Sequence, residues 1–252
     1  MTTLISDALI AVIIAPFIGS FVSVLVVRLP KGEDVIVTRS HCRNCGHILG
    51  PWELIPIVSW IVQAGKCRAC GSAVSPVYPG MEIAAIVVAL WAVATVDADV
   101  RWITVALGWV LLALAVMDAR DFFLADELTI PLVPLGLAVC WLLSPEQLYF
   151  HIAGAVLGLA SMIALAWGYK TVRGRDGLGL GDAKLFAAAG AWTGLEGLGT
   201  VLLYAVLVNL LMLAVARPTA GDMGATTPIP LGTGLAAGIW LTWLYGPFVL
   251  AF

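Results

Sequence analysis

Apolar runs long enough to cross a bilayer follow one another along this chain, and a single long polar segment interrupts them. A spanning helix needs about 20 apolar residues, with a range of roughly 17–25. On that measure the expected spans are 5–27, 80–97, 101–117, 128–145, 149–169, 183–195, 198–215 and 229–250, the sixth being short. The composition agrees. Of 252 residues 61% are hydrophobic and 12% charged, and the mean hydropathy is +1.01. Soluble domains run nearer 45–50% apolar and about 25% charged. The first run has no basic segment before it and is long enough to span, so it reads as an uncleaved helix rather than a signal sequence.

Orientation follows from the basic residues. Segment 28–79 carries Arg28, Lys31, Arg39, Arg43, Lys66 and Arg68. The later loops carry Arg120, Lys170, Arg173, Arg175 and Arg217, and Lys184 lies close by. With eight spans these twelve fall on one side and only Arg101 falls on the other. The twelve mark the cytoplasmic face, and both termini are expected outside. Asp118 in AVMDARDFF and Asp182 in GLGLGDAKLF then lie at one membrane depth.

The polar segment reads HCRNCGH and later KCRACG. Cys42, Cys45, Cys67 and Cys70 form CxxC–x21–CxxC. Two such pairs supply the four thiolates that structural zinc prefers, and four protein ligands leave no open position for chemistry. Two disulfides are the alternative and require the loop to be outside, since cytoplasmic thiols stay reduced. His41 and His47 read as solvated neighbours of the site, and Cys140 as a small buried hydrophobe. The expected fold class is an all-α polytopic membrane protein of about eight transmembrane helices. A small zinc-binding cytoplasmic loop domain lies between helices 1 and 2. The division expected is a first helix over 1–27, the zinc-type domain over 28–79 and a transmembrane core over 80–252.

Carboxylates at a membrane boundary are functional candidates by default. Two that face each other can hydrolyse an amide: one takes a proton from water and the other donates one. Close like charges favour sharing a single proton. The glycines 177, 179 and 181 before Asp182 suit the close approach of a substrate backbone. They are no dinucleotide fingerprint, because no strand precedes them. Plainer roles exist. Asp182 reads equally as a helix N-cap, and Asp118 as a partner of Arg120 or Lys184. Asp126 reads as the N-cap of the fourth span with Glu127 in its first turn, and Asp176 as a loop acid beside the glycine run. Lys184 either tunes a carboxylate or snorkels to headgroups, with snorkelling favoured. Gly154/Gly158 and Gly234/Gly238 have the spacing of close helix contacts. The tryptophans, Trp102, Trp167, Trp192 and Trp240 among them, suit interfacial anchoring.

GSFVSVLVVRLP (19–30), the cysteine segment with its continuation to VSPVYPGMEI (39–83), MDARDFFLADELTIPL (117–132) and GLGLGDAKLF (177–186) together resemble the type IV prepilin leader peptidases. That resemblance implies an inner-membrane aspartic endopeptidase of the GxGD type. It would remove the basic leader of prepilins or pseudopilins on the cytoplasmic side, in type IV pilus or type II secretion systems. Many members then N-methylate the new terminus with S-adenosylmethionine. Asp118 matches the first family aspartate and Asp182 the GD aspartate. Cys42, Cys45, Cys67 and Cys70 match the cysteines of the zinc-type domain. Glu53 and Glu82 lie in the half associated with methyl transfer. Membrane lipids are expected partners and nucleic acid is not.

Two other classes compete. An ion-coupled carrier also uses boundary acids and a glycine-broken helix, but places them at mid-bilayer. A scaffold with a zinc loop leaves both aspartates without a role.

Overall fold

A computed structural model describes residues 2–174, 177–216 and 229–248. Among these the chain is all-helical. Its helices are α1 (Thr2–Arg28), α2 (Val58–Val62), α3 (Val77–Thr95), α4 (Ala98–Asp121), α5 (Asp126–Leu143), α6 (Leu148–Arg173), α7 (Leu180–Ala216) and α8 (Leu231–Tyr245). Six of the described helical segments are long and apolar enough to cross a membrane; α2 and α8 are shorter. Arg175, Asp176 and Arg217 lie outside the described residues.

At 37 residues α7 would be about 55 Å long if straight, well beyond a hydrocarbon core of about 30 Å. It is not straight. Gly194 breaks it with φ 70° and ψ 176°, a left-handed conformation open to glycine. The arms fold back on each other. A Cβ on Gly158 of α6 would lie 2.8 Å from the Phe186 carbonyl oxygen and 3.5 Å from Leu198 Cδ2. Those two residues would be about 18 Å apart on one straight helix. The arms, 180–193 and 195–216, are the expected sixth and seventh spans, joined by one residue instead of a loop. His151 on α6 closes the end of the first arm: its Nδ1 lies 2.9 Å from the Ala191 carbonyl oxygen, one of the acceptors a helix end leaves without a partner. The described part of α8, 15 residues, is shorter than the expected span 229–250. It runs antiparallel to the second arm, with Gly238 against the Val201 carbonyl and Gly234 against that of Ala205.

The chain divides into two compact units, 1–113 and 114–252. In the first, Gly19 of α1 lies against the backbone of Met81 and Glu82 on α3. Trp109 on α4 donates to the Ala85 carbonyl at 3.0 Å. Arg101, the basic residue expected on the outer side, forms an ion pair with Asp7 of α1 and is buried. Its charge is thereby held by a partner rather than left against lipid.

In the second unit both pairs of glycines make the close contacts their spacing predicts. Lipid gives helices no hydrophobic reason to associate, so contact area between small residues decides which helices pair. A Cβ on Gly190 would stand 2.1 Å from the carbonyl carbon of Gly154. The interfacial reading fails for two tryptophans, because Trp192 and Trp240 are core residues. Trp192 packs over Gly136, donates to the Leu132 carbonyl at 2.8 Å and meets Trp243 edge to face. The missing side chain at 136 provides the room. Cys140 is buried as expected.

These contacts set a test. Gly190→Ala should lower the thermal unfolding midpoint of the detergent-purified protein, by a loss of about 1–3 kcal/mol from overpacking. Gly168→Ala, on the same α6 but facing open space, should leave it unchanged or raise it, since Ala is favoured over Gly in a helix by about 1 kcal/mol.

Candidate functional site

Asp118 lies in the last turn of α4 and Asp182 in the first turn of α7. Asp118 is buried, Asp182 half-buried, and the two are near enough that the charge of one acts on the other. Leu124, in the short connection between α4 and α5, helps to fix this juxtaposition. A Cβ on Gly181 would lie 2.9 Å from Leu124 Cβ, and one on Gly232 2.9 Å from Leu124 Cδ1. Gly181 precedes Asp182, and Gly232 lies directly over Asp118, whose Cγ would be 2.9 Å from the same added atom.

Asp118 is held by a residue that the sequence motifs do not include. The backbone N–H of Thr233 donates to its Oδ2 at 2.7 Å, and the Thr233 hydroxyl lies 3.1 Å from that same oxygen. The hydroxyl is also 3.0 Å from the Ala115 carbonyl oxygen, so its one hydrogen is shared between the two. The Gly232 N–H donates to Asp118 as well. These are unpaired amides of the first turn of α8, which suit a carboxylate. Thr233 is 115 residues from Asp118 and sits in an ordinary LGTG stretch, so no local signal marks it.

Several smaller expectations change. Asp182 lies inside α7 and is not its N-cap; the Gly179 N–H donates to it. Asp126 is not the cap of α5. Ala125 is the N-cap, and Asp126, in the first turn, binds Lys184 through both oxygens at 2.6 and 2.7 Å. Lys184 therefore neither snorkels nor pairs with Asp118; it ties the start of α7 to the start of α5. The glycine run has a packing reason of its own. A Cβ on Gly177 would lie 2.4 Å from the ring of Tyr169, as one on Gly181 would press on Leu124.

Cys42, Cys45, Cys67 and Cys70 come together, all four Sγ atoms within 4.8 Å of one another. Tetrahedral metal–sulfur bonds of about 2.3 Å require sulfurs about 3.8 Å apart. Cys42 and Cys70 stand at 3.9 Å and Cys45 and Cys67 at 4.0 Å, so the cluster fits such an ion. Two equal turns build it. In the first, Gly46 N–H donates to the Cys42 carbonyl and Cys42 N–H to that of His47. In the second, Gly71 donates to Cys67 and Cys67 to Ser72. Gly46 and Gly71 have φ of 73° and 71°, where a side chain would be strained. The hydroxyl of Ser72 pulls the Cys70 thiol down to about 6, and the backbone N–H of Cys45 chiefly pulls Cys42 down to about 7, whereas Cys45, although its sulfur accepts from the His47 N–H, is pushed up to about 12 by the neighbouring thiols Cys70, Cys42 and Cys67. The histidines turn elsewhere, His41 to the Arg39 carbonyl and His47 to Glu53.

Comparison with known proteins gives two family matches. Residues 13–96 match the bacterial peptidase A24 N-terminal domain, and 105–216 the type IV leader peptidase family. The chain is 37% identical to a prepilin leader peptidase/N-methyltransferase of Burkholderia pseudomallei, over 88% of this chain and 72% of that one. A protein of the same description from Pseudomonas aeruginosa is 32% identical over 94% and 90%. One from Aeromonas salmonicida is 34% identical over 91% and 87%. No solved structure matches.

Metal content checks the thiol cluster. The purified chain should carry one tightly held divalent metal per molecule by elemental analysis. Cys67→Ser, which replaces the buried member of the set, should reduce this to a small fraction and lower the yield of folded protein.

Proposed function

The chain belongs to the type IV leader peptidase family and is a membrane-embedded peptidase; we propose that it removes the leaders of prepilins or pseudopilins with Asp118 and Asp182 as its catalytic pair. The juxtaposition of these two carboxylates, one half-buried and one buried, carries the reading.

In the proposed reaction one carboxyl is protonated and its neighbour ionised. A water lies between them. The ionised group takes a proton from that water as its oxygen bonds to the scissile carbonyl carbon. The protonated group hydrogen-bonds the carbonyl oxygen, and as the C–N bond breaks a proton passes to the leaving nitrogen. Thr233 fixes Oδ2 of Asp118 and so sets the direction in which the rest of that carboxylate faces. It acts through Asp118 and is a positioning residue. The carrier reading places acids in mid-membrane, whereas these stand at helix ends.

The basic loops support a cytoplasmic active site on the positive-inside rule. We read the thiol cluster as a structural zinc site, since four protein sulfurs leave no position for substrate. The names of the relatives pair peptidase with N-methyltransferase, an activity that would draw on S-adenosylmethionine. Of the acids in the half associated with methyl transfer, Glu53 Oε2 accepts from Gly50 and His47, while its Oε1 is buried with no partner among the described residues. Glu82 accepts from the Ile57 N–H at 2.6 Å.

A prepilin incubated with the purified protein, with product termini read by mass spectrometry, tests the reading. Wild type should release the leader. Asp118→Asn and Asp182→Asn should each abolish release while keeping the wild-type melting profile; normal cutting by either would remove the pair from the reaction. Thr233→Val should lower kcat roughly tenfold to a hundredfold, as expected for a misplaced catalytic group, and Thr233→Ser should restore most of it. A methyl-sized mass gain on the new terminus, only when S-adenosylmethionine is present, would establish the second activity.

A further inference from the structure

The segment before α2 has no part in either centre, yet it is built with strain. Ile57 has φ 62° and ψ −54°, and the Val58 N–H donates back to the Pro56 carbonyl at 2.5 Å. This is the strained form of the three-residue turn, rare for a β-branched side chain. The Ile57 N–H is held by Glu82 Oε2, so the turn is tied to α3 rather than to the zinc turns.

That tie fixes a depth. Glu82 is five residues inside α3, about 7.5 Å from its start. Its Cα lies 2.6 Å from the Cβ position of Gly19, which is nine residues, about 13 Å, inside the end of α1. A glutamate side chain reaches only a few ångströms. The start of α2 therefore lies level with the body of two membrane-crossing helices, not beyond their ends. Trp60, at the middle of α2, donates to the Val74 carbonyl and holds that helix near the start of α3.

At that depth α2 turns apolar groups outward. Val58, Ile61 and Val62, on one face at i, i+3 and i+4, are 53%, 63% and 78% exposed, and Trp52 beside them is 80% exposed. An exposed apolar patch of this kind marks a membrane or partner surface. Beside it runs a groove of about 530 Å³ lined by Trp52, Val58, Val62, Lys66, Arg68 and the cluster residue Cys67, among others. Glu53 also lines it, engaged with Gly50 and His47. Apolar walls at membrane depth beside two cations match a phospholipid, with acyl chains against the valines and an anionic headgroup at Lys66 and Arg68.

We propose that α2 and this groove form an interfacial docking surface for an anionic phospholipid, which seats the thiol-bearing domain on the bilayer. The full-length protein in nanodiscs tests it, using phosphatidylglycerol or phosphatidylcholine with a photoreactive group near the headgroup and locating adducts by peptide mass spectrometry. Phosphatidylglycerol should label residues 52–68 at least fivefold more than the first thiol turn at 41–47. It should also exceed phosphatidylcholine at 52–68. The double variant Lys66→Gln/Arg68→Gln should lose most of that excess while labelling of α3 and metal content stay at wild-type levels. Equal labelling by both lipids, or no response to the double variant, overturns the anionic site. Labelling of 52–68 no greater than that of 41–47 overturns the membrane contact itself. Suppression of labelling by a prepilin leader peptide or by S-adenosylmethionine assigns the groove to that molecule and overturns the lipid. None of these readouts uses peptide cleavage, so failure here is distinct from failure of the aspartate pair.

Discussion

Contact between bare helix backbones is the constraint on which the peptidase half depends. Gly154 and Gly158 on α6 meet Gly190, Gly194 and the Phe186 carbonyl on α7, and Gly234 and Gly238 let α8 lie on the second arm. In lipid these approaches replace the hydrophobic effect as the reason for association. The site inherits its geometry from them. Asp182 stands at the start of the first arm, and the first turn of α8 delivers Gly232 and Thr233 to Asp118. A side chain added along the stripe shifts helices whose ends hold the carboxylates. Packing far from the two carboxylates is therefore part of their alignment.

The two centres differ in what holds them. The cysteine set is local: two turns of six residues repeat the same hydrogen bonds, and each presents two sulfurs before a metal is considered. The aspartate pair is assembled from α4, α7 and α8, through contacts such as Leu124 with Gly181 and Lys184 with Asp126 that join segments more than fifty residues apart. This explains what was legible in the sequence. The CxxC spacing encodes local geometry, so the clustering of the four cysteines could be read directly. Asp118 and Asp182 could be read because charge is costly in an apolar chain, and the distribution of basic residues placed them at one membrane depth, a pairing the resemblance to the leader peptidases also implied.

Thr233 gave no such signal. It is a common polar residue next to a glycine, and its role comes from a contact made across 115 positions of sequence. Lys184 and Asp126 were misassigned for a related reason. Each has a sensible role alone, in snorkelling or capping, and only the approach of α5 to α7 shows that they bind each other. Trp192 and Trp240 were placed at the interface by their position along a span, whereas a glycine on a neighbouring helix opened a place for Trp192 in the interior. Periodicity and length locate helices; they do not report which faces meet.

Gly194 bears on how the chain is made. Its two arms are joined by one residue, and the end of the first arm is closed by His151. No polar loop separates them for a translocation machinery to pass across the bilayer on its own. The arms must enter the membrane together, as a paired hairpin, after α6 is available to receive them. The point of reversal is thus a step in biogenesis as well as a bend in the fold. For the same reason it is closed to the insertions and tags that exposed loop tips accept.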